Sequence, residues 1–245
     1  MNRHLSLRSG NPTLTNNTFK NITYSDADRM TLEGTVNKTI IALIILFISA
    51  SYSFNSGATS FVWLGFIGGF ILALVTIFKK QWSPYTVPLY AAFEGLALGG
   101  ISYIYASMYT GIVQQAVFLT FGIFGSLLFA YKTRIIKPTE NFKLGLFAAT
   151  GGIFLLYLIS FIMSFFGSGI SLLSPNNSSM LSIGLSFGIV IIAALNLVID
   201  FDFIEEGSEK GAPKYMEWYG AFGLLVTLIW LYLELLRLLA KMKNR

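Results

Sequence analysis

Apolar residues gather along the chain into seven runs, approximately 37–54, 61–78, 86–107, 112–131, 144–166, 181–203 and 218–239, separated by short polar stretches. None of these runs alternates apolar with polar residues as a spanning strand would, so the pattern argues against a barrel and predicts helices. A helix of about 20 residues crosses about 30 Å of hydrocarbon, and each run is close to that length. The expected fold is therefore all-α: a polytopic membrane protein whose seven transmembrane helices occupy residues 36–245. Residues 1–35 are polar, with neither an apolar core nor a small-residue cleavage site. They read as a cytoplasmic N-terminal arm rather than a signal peptide. Asn11-Pro12 and Ser25-Asp26 within it are turn or cap signals.

Composition agrees with the hydropathy. Charged residues make up 12% of the chain, 54% is hydrophobic and 16% aromatic, with mean hydropathy +0.66; soluble domains carry about 25% charged residues. Cysteine is absent and the one histidine, His4, lies in the arm. That argues against a disulfide framework, a thiolate nucleophile, a tightly bound metal or His-centred catalysis. No Walker loop, HExxH motif or Ser/His/Asp set occurs, and nothing sets a nucleophile beside a base, so no enzymatic activity and no cofactor are expected. The net charge of +5 reports topology rather than nucleic-acid binding.

The linkers show how. NSGATS, SMYTG and GSGISLLSPNNSSM, which join runs one to two, three to four and five to six, carry no charge. The alternate connections hold Lys79 and Lys80, then Lys132, Arg134, Lys137 and Lys143, then Lys210 and Lys214. The positive-inside rule places the basic connections and the arm in the cytoplasm. Seven crossings then put the C-terminus outside, against the basic tail Arg237, Lys241, Lys243 and Arg245. Seven crossings remain the favoured topology, over one in which either of the last two segments is re-entrant. Among the glycines, Gly95/Gly99 and Gly184/Gly188 form small-xxx-small pairs, read as close helix packing.

The acids carry the candidate chemistry. Glu94 falls near the middle of the third run, where a carboxylate must be protonated, paired or facing water. It is either a neutral group hydrogen-bonded to a neighbouring helix or a proton or cation site. Asp200 and Asp202 close the sixth run; two residues apart, they lie about 200° around a helix and face different ways. Asn196 shares a face with Asp200. Interacting carboxylates here would share protons as a coupled pair, and their hard oxygens suit Ca²⁺. Glu205, Glu206 and Glu209 read as a solvated turn. Glu217 reads as an acid at the inner interface beside Trp218 and Tyr219, and Glu234 as a local i, i+3 partner of Arg237.

Three stretches are distinctive: PLYAAFEGLALGGIS in the third run, ALNLVIDFDFIEEG at the end of the sixth, and GAPKYMEWYGAFGLLVTLIWLYLELLRLL over the seventh. Together they resemble the Bax inhibitor-1 family of membrane proteins, most closely its bacterial YccA-like branch with an extended N-terminal arm. The resemblance covers nearly the whole chain. It implies a seven-helix fold with the last helix central, in the bacterial cytoplasmic membrane, and a pH-sensitive Ca²⁺ leak. In the leak model of the family, an aspartate ending the sixth span shares a proton with a second aspartate in the seventh. Asp200 matches the first; the position of the second, ten residues before the Arg of Leu-Leu-Arg, is here Thr227. Glu234 is two turns further along on roughly the same face; either Asp202, Glu217 or Glu234 substitutes, or the dyad is absent from this chain.

The expected function is thus a pH-sensitive cation leak, with Asp200, Asp202 and Glu94 as proton sensor or cation site and Glu217 and Glu234 as secondary acids. Its partners are the lipid bilayer, H⁺ and Ca²⁺ as the permeant ion. The alternative is a non-transporting regulator that binds other membrane proteins, such as a membrane protease.

Overall fold

The computed structural model of the protein describes residues 29–167 and 169–245. Most of the polar arm, including His4 and both turn signals, lies outside the described residues. The rest folds as helices α1 (Leu32–Ser56), α2 (Ser60–Phe78), α3 (Ser83–Met108), α4 (Ile112–Lys132), α5 (Glu140–Ser164), α6 (Met180–Glu209) and α7 (Met216–Lys243). All seven are long and apolar enough to cross a membrane, and α7 is the most enclosed of them. Among the described residues no strand forms, only an isolated bridge between Arg29 and Pro213.

The helix ends follow from local chemistry. Thr31 caps α1 by accepting from Gly34 N at 2.9 Å, and Gly57, at φ 61°, closes it in a left-handed conformation that costs glycine nothing. Thr139 caps α5 in the same way through Phe142 N. Pro88 lies inside α3, where its missing N–H is tolerated in a protein-lined span. Helix α6 runs six residues beyond the apolar run, so Glu205, Glu206 and Glu209 are its last turns and not a loop. The helix continues through Gly207 and ends at Glu209, ahead of Gly211, whose φ of 65° starts the turn into α7. Within those last turns Glu206 pairs with Lys210.

The chain divides into two compact units, and α6 and α7 contribute to both. One unit holds α1, α2 and α3 with residues 202–226. In it α3 packs against α1 and α2 through bare backbone: a Cβ on Gly95 would lie 2.4 Å from Leu46 O, one on Gly99 2.2 Å from Ala50 O, and one on Gly65 2.4 Å from Phe93 O. Tyr90 of α3 meets Phe222 of α7 edge to face, with centroids 4.9 Å apart. The other unit holds Gly111–Phe201 and Thr227–Arg245. In it Phe201 of α6 packs on Phe124 and Tyr131 of α4.

Glycine is used differently in the two units. The close-packing reading holds for Gly95/Gly99 but not for Gly184/Gly188, whose missing Cβ atoms would meet nothing within 4 Å; Gly122, Gly125, Gly145, Gly151 and Gly152 are equally open. Spacing alone does not say which helix face a glycine occupies. Substitution separates the two kinds. Gly99→Val should destabilise the protein by about 2 kcal/mol or more through overpacking against the α1 backbone. Gly184→Val should leave the unfolding midpoint in detergent nearly unchanged. Equal effects from both would contradict the packing described.

Candidate functional site

The polar residues of the second unit lie along one seam between α6 and α7. On α6, Ser182, Ser186, Ile189, Ala193, Asn196 and Asp200 follow at alternating steps of four and three, and all are buried. On α7, Thr227, Leu231, Glu234, Leu238 and Lys241 do the same, and all are buried. That spacing is the period of a helix seam, so each set forms one continuous stripe.

The register of the seam is fixed at one end. Lys241 Nζ donates to Ser186 Oγ at 2.8 Å, and the helices, joined by the short turn after Glu209, run antiparallel. Asp200 lies fourteen residues beyond Ser186 and Thr227 fourteen before Lys241, about 21 Å along each helix. Thr227 therefore sits at the depth of Asp200. Halfway along, Glu234 is level with Ala193, whose methyl leaves room for it.

Each polar side chain of the seam has its own anchoring. Asp200 is fully buried. One turn back, Asn196 Nδ2 donates to Thr150 Oγ1 of α5 at 2.9 Å and to Ile192 O at 2.8 Å. These bonds fix the amide, and Asn196 Oδ1 is left as a buried acceptor with no hydrogen-bond partner among the described residues. A polar side chain in that state marks a place where a proton, water or cation is needed. Glu234 receives Tyr157 Oη of α5 at 2.7 Å, Trp230 Nε1 at 3.3 Å and Arg237 Nη1 at 2.9–3.0 Å. Arg237 also donates to Tyr157 Oη and stacks over its ring. The local Glu234–Arg237 pair expected from spacing is present, and Tyr157 extends it to a second helix.

The remaining candidate acids are in the first unit. Asp202 is half-buried on α6. Glu94, also half-buried, sets its carboxyl against the bare backbone of Gly69 on α2, where a Cβ would come within 2.6 Å of Oε1. Glu217 is more than an interface acid beside aromatics. It is fully buried in the first turn of α7, forms an ion pair with Lys38 of α1, and accepts from Thr31 N and Thr31 Oγ1, both at 3.0 Å. It thereby satisfies an orphan N–H at the start of α1, as the acid of a capping box does, but from another helix. Gly34 makes this approach feasible, since a Cβ there would lie 2.1 Å from Glu217 Oε1. Glu217, Lys38 and Thr31 are 179 and 186 residues apart in sequence, and no local pattern joins them. Among the described residues no group of three or more His, Cys, Asp or Glu side chains could hold a metal ion.

The C-terminus is now placed by contact. Lys241 Nζ donates to Leu172 O at 2.7 Å and Asn244 Nδ2 to Pro175 O at 3.2 Å, so the end of α7 meets the uncharged connection between α5 and α6. The two lie together, as they do when α6 and α7 run antiparallel over their full lengths.

A family model described as Bax inhibitor 1 like matches residues 11–244. No curated protein and no solved structure matches the chain.

Removing one side of the Glu217 pair strands the other. Glu217→Ala should cost about 2 kcal/mol, discounted from the value for a wholly enclosed pair because Lys38 reaches solvent. The double variant Lys38→Met/Glu217→Met should recover most of that loss in detergent unfolding. Strict additivity of the two single losses would show that the pair is uncoupled.

Proposed function

Because the chain belongs to the Bax inhibitor 1 like family, we propose that this integral membrane protein is a passive, proton-regulated cation leak with Ca²⁺ as the permeant ion. The observation that carries the reading is Asp200, wholly buried on the polar stripe of α6 at the depth of Thr227. A carboxylate at such a position is expensive and is typically tied to ion or proton traffic. Asp200 is the proposed proton sensor. Thr227 offers a hydroxyl in place of a second carboxylate, so protons are not shared by an aspartate pair. Asn196, one turn back on the same face of α6, adds a second buried polar group beside it. Proton uptake by Asp200 weakens a closing contact, and the leak grows as pH falls. The protein acts as a conduit and not as an enzyme.

The same reading sets the protein in a bacterial cytoplasmic membrane with its N-terminus in the cytoplasm. The alternation of basic and uncharged connections supports this orientation. A second reading, a non-transporting regulator that binds other membrane proteins, draws support from one observation. The outward glycines of α5 and α6 present bare backbone suited to a foreign helix.

Ca²⁺ uptake into dye-loaded proteoliposomes between about pH 5 and 8 separates these readings. Wild type should leak more in acid, and Asp200→Asn should leak at a rate that no longer follows pH. Folded wild-type protein that carries no flux at any pH would transfer the assignment to the regulator.

A further inference from the structure

Lys241 is fully buried, yet none of its hydrogen-bond partners is charged. Its ammonium is held by Leu172 O at 2.7 Å, Ser186 Oγ at 2.8 Å and, at longer range, Ser182 O at 3.4 Å. The nearest acid on its own stripe, Glu234, is engaged by Arg237, Tyr157 and Trp230. A lysine in such a position normally has a carboxylate beside it, because an enclosed charge without a counter-ion is costly.

The environment is one that suits a hard cation instead: backbone carbonyls and a hydroxyl, converging from two directions. Part of it is assembled without the lysine. Ser182 Oγ donates to Leu172 O at 2.8 Å, and Ser182 N donates to Ser179 Oγ at 3.3 Å, so the connection is tied to the start of α6 independently. This cage lies at the end of the seam that begins, about 21 Å away, at Asp200.

We propose that the Lys241 ammonium is a tethered cation occupying an oxygen cage of Leu172 O, Ser182 O and Ser186 Oγ, a site that accepts a free metal cation or small alkylammonium once the lysine is withdrawn. If the seam conducts, Lys241 is then its outer plug. Its fixed positive charge takes the last oxygen site and repels the ion approaching from within. The plug rests on the leak reading; the cage does not.

Two measurements keep these apart. The full-length Lys241→Ala variant is melted in detergent with choline chloride as the reference salt. CaCl₂, NaCl or ethylammonium chloride is then substituted at matched ionic strength. The variant should gain several degrees with ethylammonium and with at least one of the inorganic cations, and wild type should gain none. A variant whose midpoint ignores the cation, or shifts no more than wild type, overturns the cage and reduces Lys241 to a structural clamp. Should Lys241→Ala yield no folded protein, Lys241→Gln carries the same titration with a smaller expected gain, and no gain sinks the proposal there too.

In proteoliposomes the lysine variant that folds should raise Ca²⁺ flux several-fold above wild type at neutral pH. Wild-type flux without an increase in the variant rejects the plug and leaves the leak standing. No flux from wild type, Asp200→Asn or the lysine variant counts against the leak itself, and the salt titration then decides the cage.

Discussion

Hydrocarbon offers no solvent to a polar side chain, so every hydroxyl, amide or charge within a span has to be met by the protein itself. The α6–α7 seam is organised by that constraint. Thr227, Glu234 and Lys241 recur every seven residues on α7, and Ser182, Ser186, Asn196 and Asp200 occupy the facing stripe of α6. Seven residues are two turns, so the polar groups of α7 fall on one line and are spaced about 10 Å apart. Two of the levels are supplied from neighbouring elements: Ser186 and the Leu172 carbonyl for Lys241, Tyr157 and Arg237 for Glu234. Asn196 Oδ1 has nothing supplied among the described residues. That acceptor lies one turn from Asp200, which is why the functional reading is centred there.

The two units meet the lack of solvent in different ways. In the unit of α1, α2 and α3, helices approach through glycine until backbone meets backbone, and a Thr76–Thr86 hydrogen bond adds to the contact of α2 with α3. Its charged cluster, Glu217 with Lys38 and Thr31, stands at the helix starts. There the positive ends of the α1 and α7 dipoles favour an acid. In the unit of α4, α5 and the seam, glycines face outward and cohesion comes from side-chain bonds between α5, α6 and α7.

Much of this was legible in the chain. Hydrophobic run length gave seven helices because the bilayer selects length directly, and the i, i+3 pairing of Glu234 with Arg237 follows from helix geometry alone. The depth of Thr227 relative to Glu234 could also be read, since both lie on one helix. What sequence did not disclose are contacts between distant segments. Tyr157 joins Glu234 across 77 residues, and Thr31 joins Glu217 across 186. The direction of a glycine face was equally hidden: Gly95/Gly99 and Gly184/Gly188 have identical spacing and opposite surroundings. The acids after Asp202 read as a turn because charge and apolarity change there, but a helix can outrun its apolar stretch, here through Gly207 to Glu209.

The basic tail shows how burial alters an argument made from composition. Four basic residues at the C-terminus oppose an exit to the outside if all four are counted as loop charges. Two of them are not loop charges. Arg237 is neutralised by Glu234 inside the last helix, and Lys241 is enclosed by the α5–α6 connection and Ser186. Only Lys243 and Arg245 remain at the exposed end. The opposing bias is halved, and three alternations of basic and uncharged connections outweigh it. The residues that made the topology look contradictory are thus part of the polar seam, and Lys241 is its outermost member.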